Sequence, residues 1–247
     1  MRCLAVMTLV SWAGGVEADE RWNEEGARKM VERVLSVEKT GRPWTKIGWM
    51  EDGAAAAAKA QKSGKPIMVF FHLAKGGPEQ DPCGAGGRVM RSVVLADPKV
   101  QKLIAKEFVP LKVGLKPGGG FPLDWPALKP WERLFQFADA RSFTGCVVVS
   151  ADCEVQFGTT GSLLLWELVD AKGFDAGKLR TVLEVAAARG LEERTLRKQR
   201  GITEEERLEE IRRFRQGLLR AAQEHARFQL PPGGFSMETV LKWFGGG

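Results

Sequence analysis

The stretch Lys65-Pro66-Ile67-Met68-Val69-Phe70-Phe71 decides the fold, together with the residues beyond its Gly-rich loop: Pro82-Cys83-Gly84-Ala85-Gly86, Met90, Val93, Asp97-Pro98, Val100, Leu103, Phe108-Val109-Pro110 and Lys112-Val113. Ile67 to Phe71 is an unbroken apolar run bounded by a proline and a loop, the signature of a strand buried on both faces. Cys83 to Lys106 carries helical spacing that breaks at Asp97-Pro98, where the aspartate can cap a second helix with proline in its first position. Phe108 to Val113 reads as another buried strand. Strand, helical crossover and strand in succession point to an α/β protein.

The flanking sequence extends the pattern. Asn23 to Lys39 places Ala27, Met30, Val31, Val34 and Leu35 at helical intervals and stops at Gly41-Arg42-Pro43. Pro43 to Trp49 is short and aromatic, and suits a first strand or a docking loop. Ala54 to Ala60 has high helix propensity and ends at Ser63-Gly64, where glycine can supply a left-handed cap. Downstream, Gly118-Gly119-Gly120, Pro122, Pro126 and Pro130 exclude regular structure until a short helix over 131–138. Cys146 to Ser150 and Cys153 to Phe157 flank Ala151-Asp152 and read as a hairpin. Asp175 to Arg189 is predicted as a helix with Leu179, Val182, Leu183 and Ala186 on its core face.

Composition bounds the function classes. With 44% hydrophobic and 28% charged residues over 247 positions, the chain has the make-up of a soluble globular protein. It contains no Tyr, which excludes tyrosyl acid, base or radical chemistry. Its net charge of +6 is explained by solvated Lys and Arg faces, with no nucleic-acid partner expected. His72 and His225 are the only histidines and lie without metal-ligand spacing, so no metal site and no cofactor are expected.

Met1-Arg2, an apolar stretch from Cys3 to Ala13 and Val16-Glu17-Ala18 before Asp19 make the pattern of a secretory signal peptide over 1–18. The expected location is the periplasm or the extracellular space; an uncleaved anchor is the alternative. After cleavage no integral membrane span is expected. Cys83, Cys146 and Cys153 would remain, an odd number in a compartment where disulfides persist.

Taken in order, these residues resemble secreted thioredoxin-like proteins that carry a Trp-led helix before the core. Such proteins commonly read Trp, an Ala-rich helix, Gly-Lys-Pro, an apolar strand, Cys-Gly-x-Cys-Lys-x-Met, then Val, Asp-Pro, Val and Phe-Val. This chain supplies Trp49, Ala54 to Ala60, Gly64-Lys65-Pro66, Ile67 to Phe71, Cys83-Gly84-Ala85-Gly86-Gly87-Arg88-Val89-Met90, Val94, Asp97-Pro98, Val100 and Phe108-Val109. The match spans about residues 49 to 190, and its first half is the specific one. It implies a thioredoxin-like fold, a central mixed sheet flanked by helices, with an N-terminal helix and a C-terminal helical extension. The implied organisation is a signal peptide at 1–18, an N-terminal helix at 19–42, a thioredoxin-like domain at 43–190 and the extension at 191–247.

The resemblance also assigns site positions, and there the chain departs from the family. The first cysteine of the motif is Cys83, the candidate nucleophile, whereas the resolving position is Gly86. A two-cysteine cycle within the motif is therefore impossible. Pro82 stands where Trp usually precedes the motif, Gly84 follows the candidate thiol, and Ile67 to Phe71 lacks the acidic residue often found there. The cis-proline position, which in the family clamps substrate backbone, aligns with Thr144, beside which Cys146 is a candidate resolving thiol. Cys83 at a helix start would gain thiolate character from unsatisfied N–H groups, against which Glu79, Asp81 and three glycines work. Cys146 and Cys153 across a tight hairpin are out of register for a disulfide.

The extension carries its own signal. Thr203-Glu204-Glu205-Glu206 is a capping box opening a helix to about Phe228, with Leu208, Ile211, Leu218, Ala222 and Ala226 in one stripe and Arg212, Arg213, Arg215 and Arg220 around the rest. Residues 203–228 either pack on the domain or form a docking or dimerisation helix. The sequence thus supports a non-catalytic or weakly redox-active thioredoxin-fold protein acting outside the cytoplasm and binding a protein or peptide. The alternative is a monothiol oxidoreductase or peroxidase-like enzyme using Cys83.

Overall fold

The computed structural model describes residues 24–73, 90–116, 118–137, 145–160, 169–170, 173–174 and 176–226. At its centre β1 (Ile67–Leu73) runs parallel to β2 (Val109–Leu115), with Ile67 facing Val109 and Phe70 facing Lys112. On its other side β1 pairs antiparallel with β3 (Gly145–Val149), Phe70 opposite Cys146, and β3 pairs antiparallel with β4 (Gln156–Thr159). The order β2-β1-β3-β4, one parallel pair and two antiparallel ones with helices against both faces, is a thioredoxin-like fold.

Strand periodicity explains the unbroken apolar run. Met68 and Phe70 point to one face and pack with Leu95, Ile104, Cys146, Val148 and Leu183; Ile67, Val69 and Phe71 point to the other and pack with Ala56, Ala60, Trp131 and Val149. Neither face reaches water, so polar residues would alternate into a core on either side.

Helix ends follow their capping chemistry. In α2 (Gly53–Ser63) the Ala55 N–H donates to Asp52 Oδ1 at 2.7 Å, and Gly64 closes the helix at φ 67°. A π-helical segment (Met90–Leu95) precedes α3 (Pro98–Glu107), where Asp97 accepts from the N–H groups of Lys99 and Val100 at 2.9 and 3.0 Å. The break expected at Asp97-Pro98 is where one helix stops and the next begins. Before all of these, α1 (Glu24–Lys39) packs Val34 into the core.

Four local expectations are revised. Pro43 to Trp49 forms a 3₁₀ turn (Pro43–Lys46) with Trp44 buried and the Trp49 indole N–H donating to the Trp44 carbonyl, a bend that prevents a strand. The strand-like contact is reduced to Met50, whose N–H donates to Pro110 O at 2.9 Å and whose carbonyl accepts from Lys112 at 2.8 Å. The helix expected at Trp131 begins earlier: α4 (Lys129–Phe137) admits Pro130 in its first turn, where a missing N–H is harmless. In the hairpin, residues 150–155 form the turn and the second strand starts only at Gln156. Ser150 Oγ accepts from the N–H groups of Glu154 and Val155, both at 3.1 Å, while Cys153 adopts φ 64°.

The fourth revision concerns the helix expected to end at Arg189. It continues as α5 (Ala176–Lys198), so position 190 falls in its interior. Gly190 is there for close approach rather than termination, since a Cβ at this position would lie 3.0 Å from Pro66 Cγ and Cδ. A small hairpin of β5 (Val169–Asp170) and β6 (Gly173–Phe174) precedes it. Last comes α6 (Glu204–Ala226), opened by the expected capping box: Thr203 N–H donates to Glu206 Oε2 at 2.7 Å and Glu206 N–H to Thr203 Oγ1 at 3.2 Å. Among the described residues no helix is long and apolar enough to cross a membrane.

Candidate functional site

Cys83, Pro82, Gly84, Gly86 and Thr144 lie outside the described residues, as does the segment 1–18. The described elements that flank these positions in sequence are the end of β1, the π-helical segment and the start of β3. His72 sits at the end of β1 on the same side as Phe70, buried, with the two rings stacked at 6.0 Å. Arg91 is buried against α1, its guanidinium 5.4 Å from the Trp44 ring and 3.9 Å from Glu38.

Cys146 is the second residue of β3, and its backbone is committed. Its N–H donates to Thr160 Oγ1 and its carbonyl accepts from Thr160 N–H, each at 2.9 Å. Its side chain is enclosed with Met68, Phe70 and Val148, and that burial pushes the thiol far above its ordinary value. At neutral pH it is a protonated thiol in an apolar wall. Cys153 is pushed up to about 12, first by burial and then by the charges of Asp152 and Glu154. Both are free thiols. Cys146 belongs to one core and Cys153 to the core on the opposite side of the sheet, so no disulfide joins them. Among the described residues no group of His, Cys, Asp and Glu is arranged to hold a metal ion.

One polar cluster escaped the sequence reading. Arg215, expected on the solvated side of its helix, is instead drawn into the domain, with only 18% of its side chain exposed. It donates to Asp152 Oδ2 at 2.6 Å and to Glu193 Oε1 at 2.7 Å, and Arg197 reaches the same two oxygens at 2.8 and 2.6 Å. Two carboxylates and two guanidinium groups thus close a neutral cluster across the β3–β4 turn, α5 and α6. Only the Glu193–Arg197 pair, four residues apart on one helix, left a signal in the sequence.

Beside this cluster, Ile211 is buried and Phe214 and Leu218 pack on the core, the Phe214 ring 6.5 Å from Phe157. The expected stripe of α6 is therefore covered by its own domain at Ile211 and Leu218, joined there by Phe214, while Leu208 is exposed.

The cluster makes stability pH-dependent. Burial works to raise the Asp152 carboxyl, but hydrogen bonds from Ser150 and Arg215 and the charges of Arg215 and Arg197 outweigh it and hold it below its ordinary value. A carboxyl depressed in the folded state contributes stability that is complete above its unfolded value, about 3.9, and is lost as pH falls through the folded one. Urea titrations between about pH 6 and 2 should therefore show a shallower acid limb in Asp152→Asn than in the native protein. Parallel limbs would remove Asp152 from the acid response.

No family model matches the chain, and no curated protein matches it. Among solved structures it is similar to a chain described as DsbH oxidoreductase, with 16% identity and a TM-score of 0.37. That alignment covers 57% of this chain and 84% of the other.

Proposed function

We propose that this chain is an exported thioredoxin-fold protein that runs no dithiol cycle of its own and binds a protein or peptide segment. One observation carries the reading: Gly86 stands in the resolving position, and Cys146 and Cys153 are buried on opposite sides of the sheet with raised pKa values. A resolving thiol must reach the mixed disulfide as a thiolate and attack one of its sulfurs in line, expelling the other as a thiolate, and an enclosed thiol with a raised pKa does neither readily. Thr144 in place of the clamp proline and Pro82 in place of Trp alter the substrate side of the same position. Removal of residues 1–18 would give the exported form, beginning near Asp19.

An insulin-type disulfide reduction assay on the purified protein tests this. Little turnover is expected from the native chain, and Gly86→Cys should raise it by restoring the second thiol of the motif. Alkylation of the native protein near pH 7.5 should modify Cys146 and Cys153 at least about a hundredfold more slowly than the unfolded chain. Robust native turnover that disappears in Cys83→Ser would overturn the reading and establish a monothiol enzyme. Recovery of an intact Met1-bearing chain from membranes would overturn the exported form.

A further inference from the structure

The contacts of α6 with its own domain are those of a helix seated in a groove. It follows α5 through residues 199–203, where Gly201 adopts φ 83°, and rests on α5 and β4. Three apolar side chains anchor it, Ile211, Phe214 and Leu218, at the spacing of one helical face. Only Ile211 is fully buried; Phe214, edge-on to Phe157, and Leu218 are partly so, and Leu208 and Leu219 are exposed. Anchors spaced in this way are how an amphipathic helix is recognised when it comes from a separate chain.

Charge adds a second requirement. Beside the anchors, α5 and the 150–155 turn bring together two carboxylates, Glu193 and Asp152, and one guanidinium bonded to both, Arg197. The groove by itself is therefore one positive charge short. Arg215 of α6 supplies it, donating through Nη2 to Asp152 Oδ2 at 2.6 Å and Glu193 Oε1 at 2.7 Å, and through Nε to Glu193 Oε2 at 3.2 Å. Bridging two carboxylates from one side chain uses the planar fork of N–H groups that arginine has and lysine lacks. Apolar anchors and a single arginine beside the middle one, Ile211-x-x-Phe214-Arg215-x-x-Leu218, are what this surface accepts.

We propose that the surface of α5, β4 and the 150–155 turn is a helix-binding groove closed in cis by α6, and that its partner is an amphipathic helix of another protein with the pattern apolar-x-x-apolar-Arg-x-x-apolar. This rests on the protein- or peptide-binding function proposed above and names the segment bound. The tether gives α6 a high effective concentration, so the groove opens to a partner when α6 is loosened or outcompeted. Fluorescence anisotropy tests it on the full chain, with a labelled peptide of residues 203–226 as the probe. Ile211→Asp and, separately, the milder Arg215→Gln loosen α6; each should bind the probe at least about tenfold tighter than the native chain does. On those chains a probe carrying Arg215→Lys should bind about tenfold more weakly, and adding Asp152→Asn to the chain should weaken the unaltered probe similarly. Equal binding by native and loosened chains, equal binding of the arginine and lysine probes, or loss of cooperative melting in both loosened chains would each overturn the proposal. A native dimer that exchanges α6 between copies would overturn it too, by assigning the groove to a second copy. Probe capture by the native chain that ignores Asp152→Asn would remove the groove while leaving the binding function standing.

Discussion

Replacing Ile211 with Asp is expected to destabilise the protein by about 4 kcal/mol, measured as a shift of the urea midpoint, because it trades a buried aliphatic side chain for an unpaired carboxylate. Ile211 is 6% exposed and lies on the same helical face as Phe214 and Leu218, which pack on the core. Arg213→Ala is the control. That side chain is 74% exposed and its ion pair with Glu209 is a surface one, so the midpoint should move by no more than about 0.5 kcal/mol. If α6 detaches while the sheet stays folded, limited proteolysis between Lys198 and Glu204 will become rapid at native pH. An Ile211→Asp midpoint indistinguishable from the native one, with that linker still protected, would show that α6 is not docked in solution.

Phe157→Ala should cost about 3–5 kcal/mol. Phe157 is 2% exposed in β4 and faces α5, where a Cβ at Gly190 would lie 3.6 Å from its ring. Its carbonyl accepts from the Arg189 guanidinium, so the ring is anchored through its own backbone. The ring also meets Phe214 of α6 edge-on. Truncation therefore opens a cavity where three elements converge, and neighbours fixed by ion pairs cannot collapse into it. A double-mutant cycle with Phe214→Ala should give a coupling of about 0.5–1.5 kcal/mol. A loss below about 1 kcal/mol in Phe157→Ala would mean that β4 and α6 do not share a core in solution.

Local chemistry made most of this fold readable from the chain. The apolar run beginning at Ile67 needed only its length and boundaries to be a two-sided strand, and it extends two residues further, to Leu73, because His72 is also buried. Asp97-Pro98 and Thr203 to Glu206 announced their helix starts because a cap is a bond between neighbours. Misreadings arose where the reason for a residue lies far away in sequence. Gly190 resembles a helix stop until Pro66 is seen beside it, and Arg215 resembles a solvated arginine until Asp152 is seen 63 positions earlier. The hairpin register was missed because the Ser150 side chain organises a turn longer than its sequence suggests. At the candidate site, the motif positions are assigned by resemblance alone and lie outside the described residues, whereas burial of Cys146 and Cys153 on opposite sides of the sheet is a three-dimensional fact that no spacing encodes.

That separation of Cys146 from Cys153 fixes a valency. After residue 18 the chain has three thiols, and two of them are sealed into different cores. Without unfolding, a molecule of residues 19–247 therefore has at most one cysteine, Cys83, through which to be covalently joined to another. A particle with one linkage can be capped or paired, but it cannot be chained. Oxidative cross-linking of the folded protein terminates at two copies, or at one copy and one partner, so a ladder of higher disulfide-linked species on a non-reducing gel would report loss of the fold.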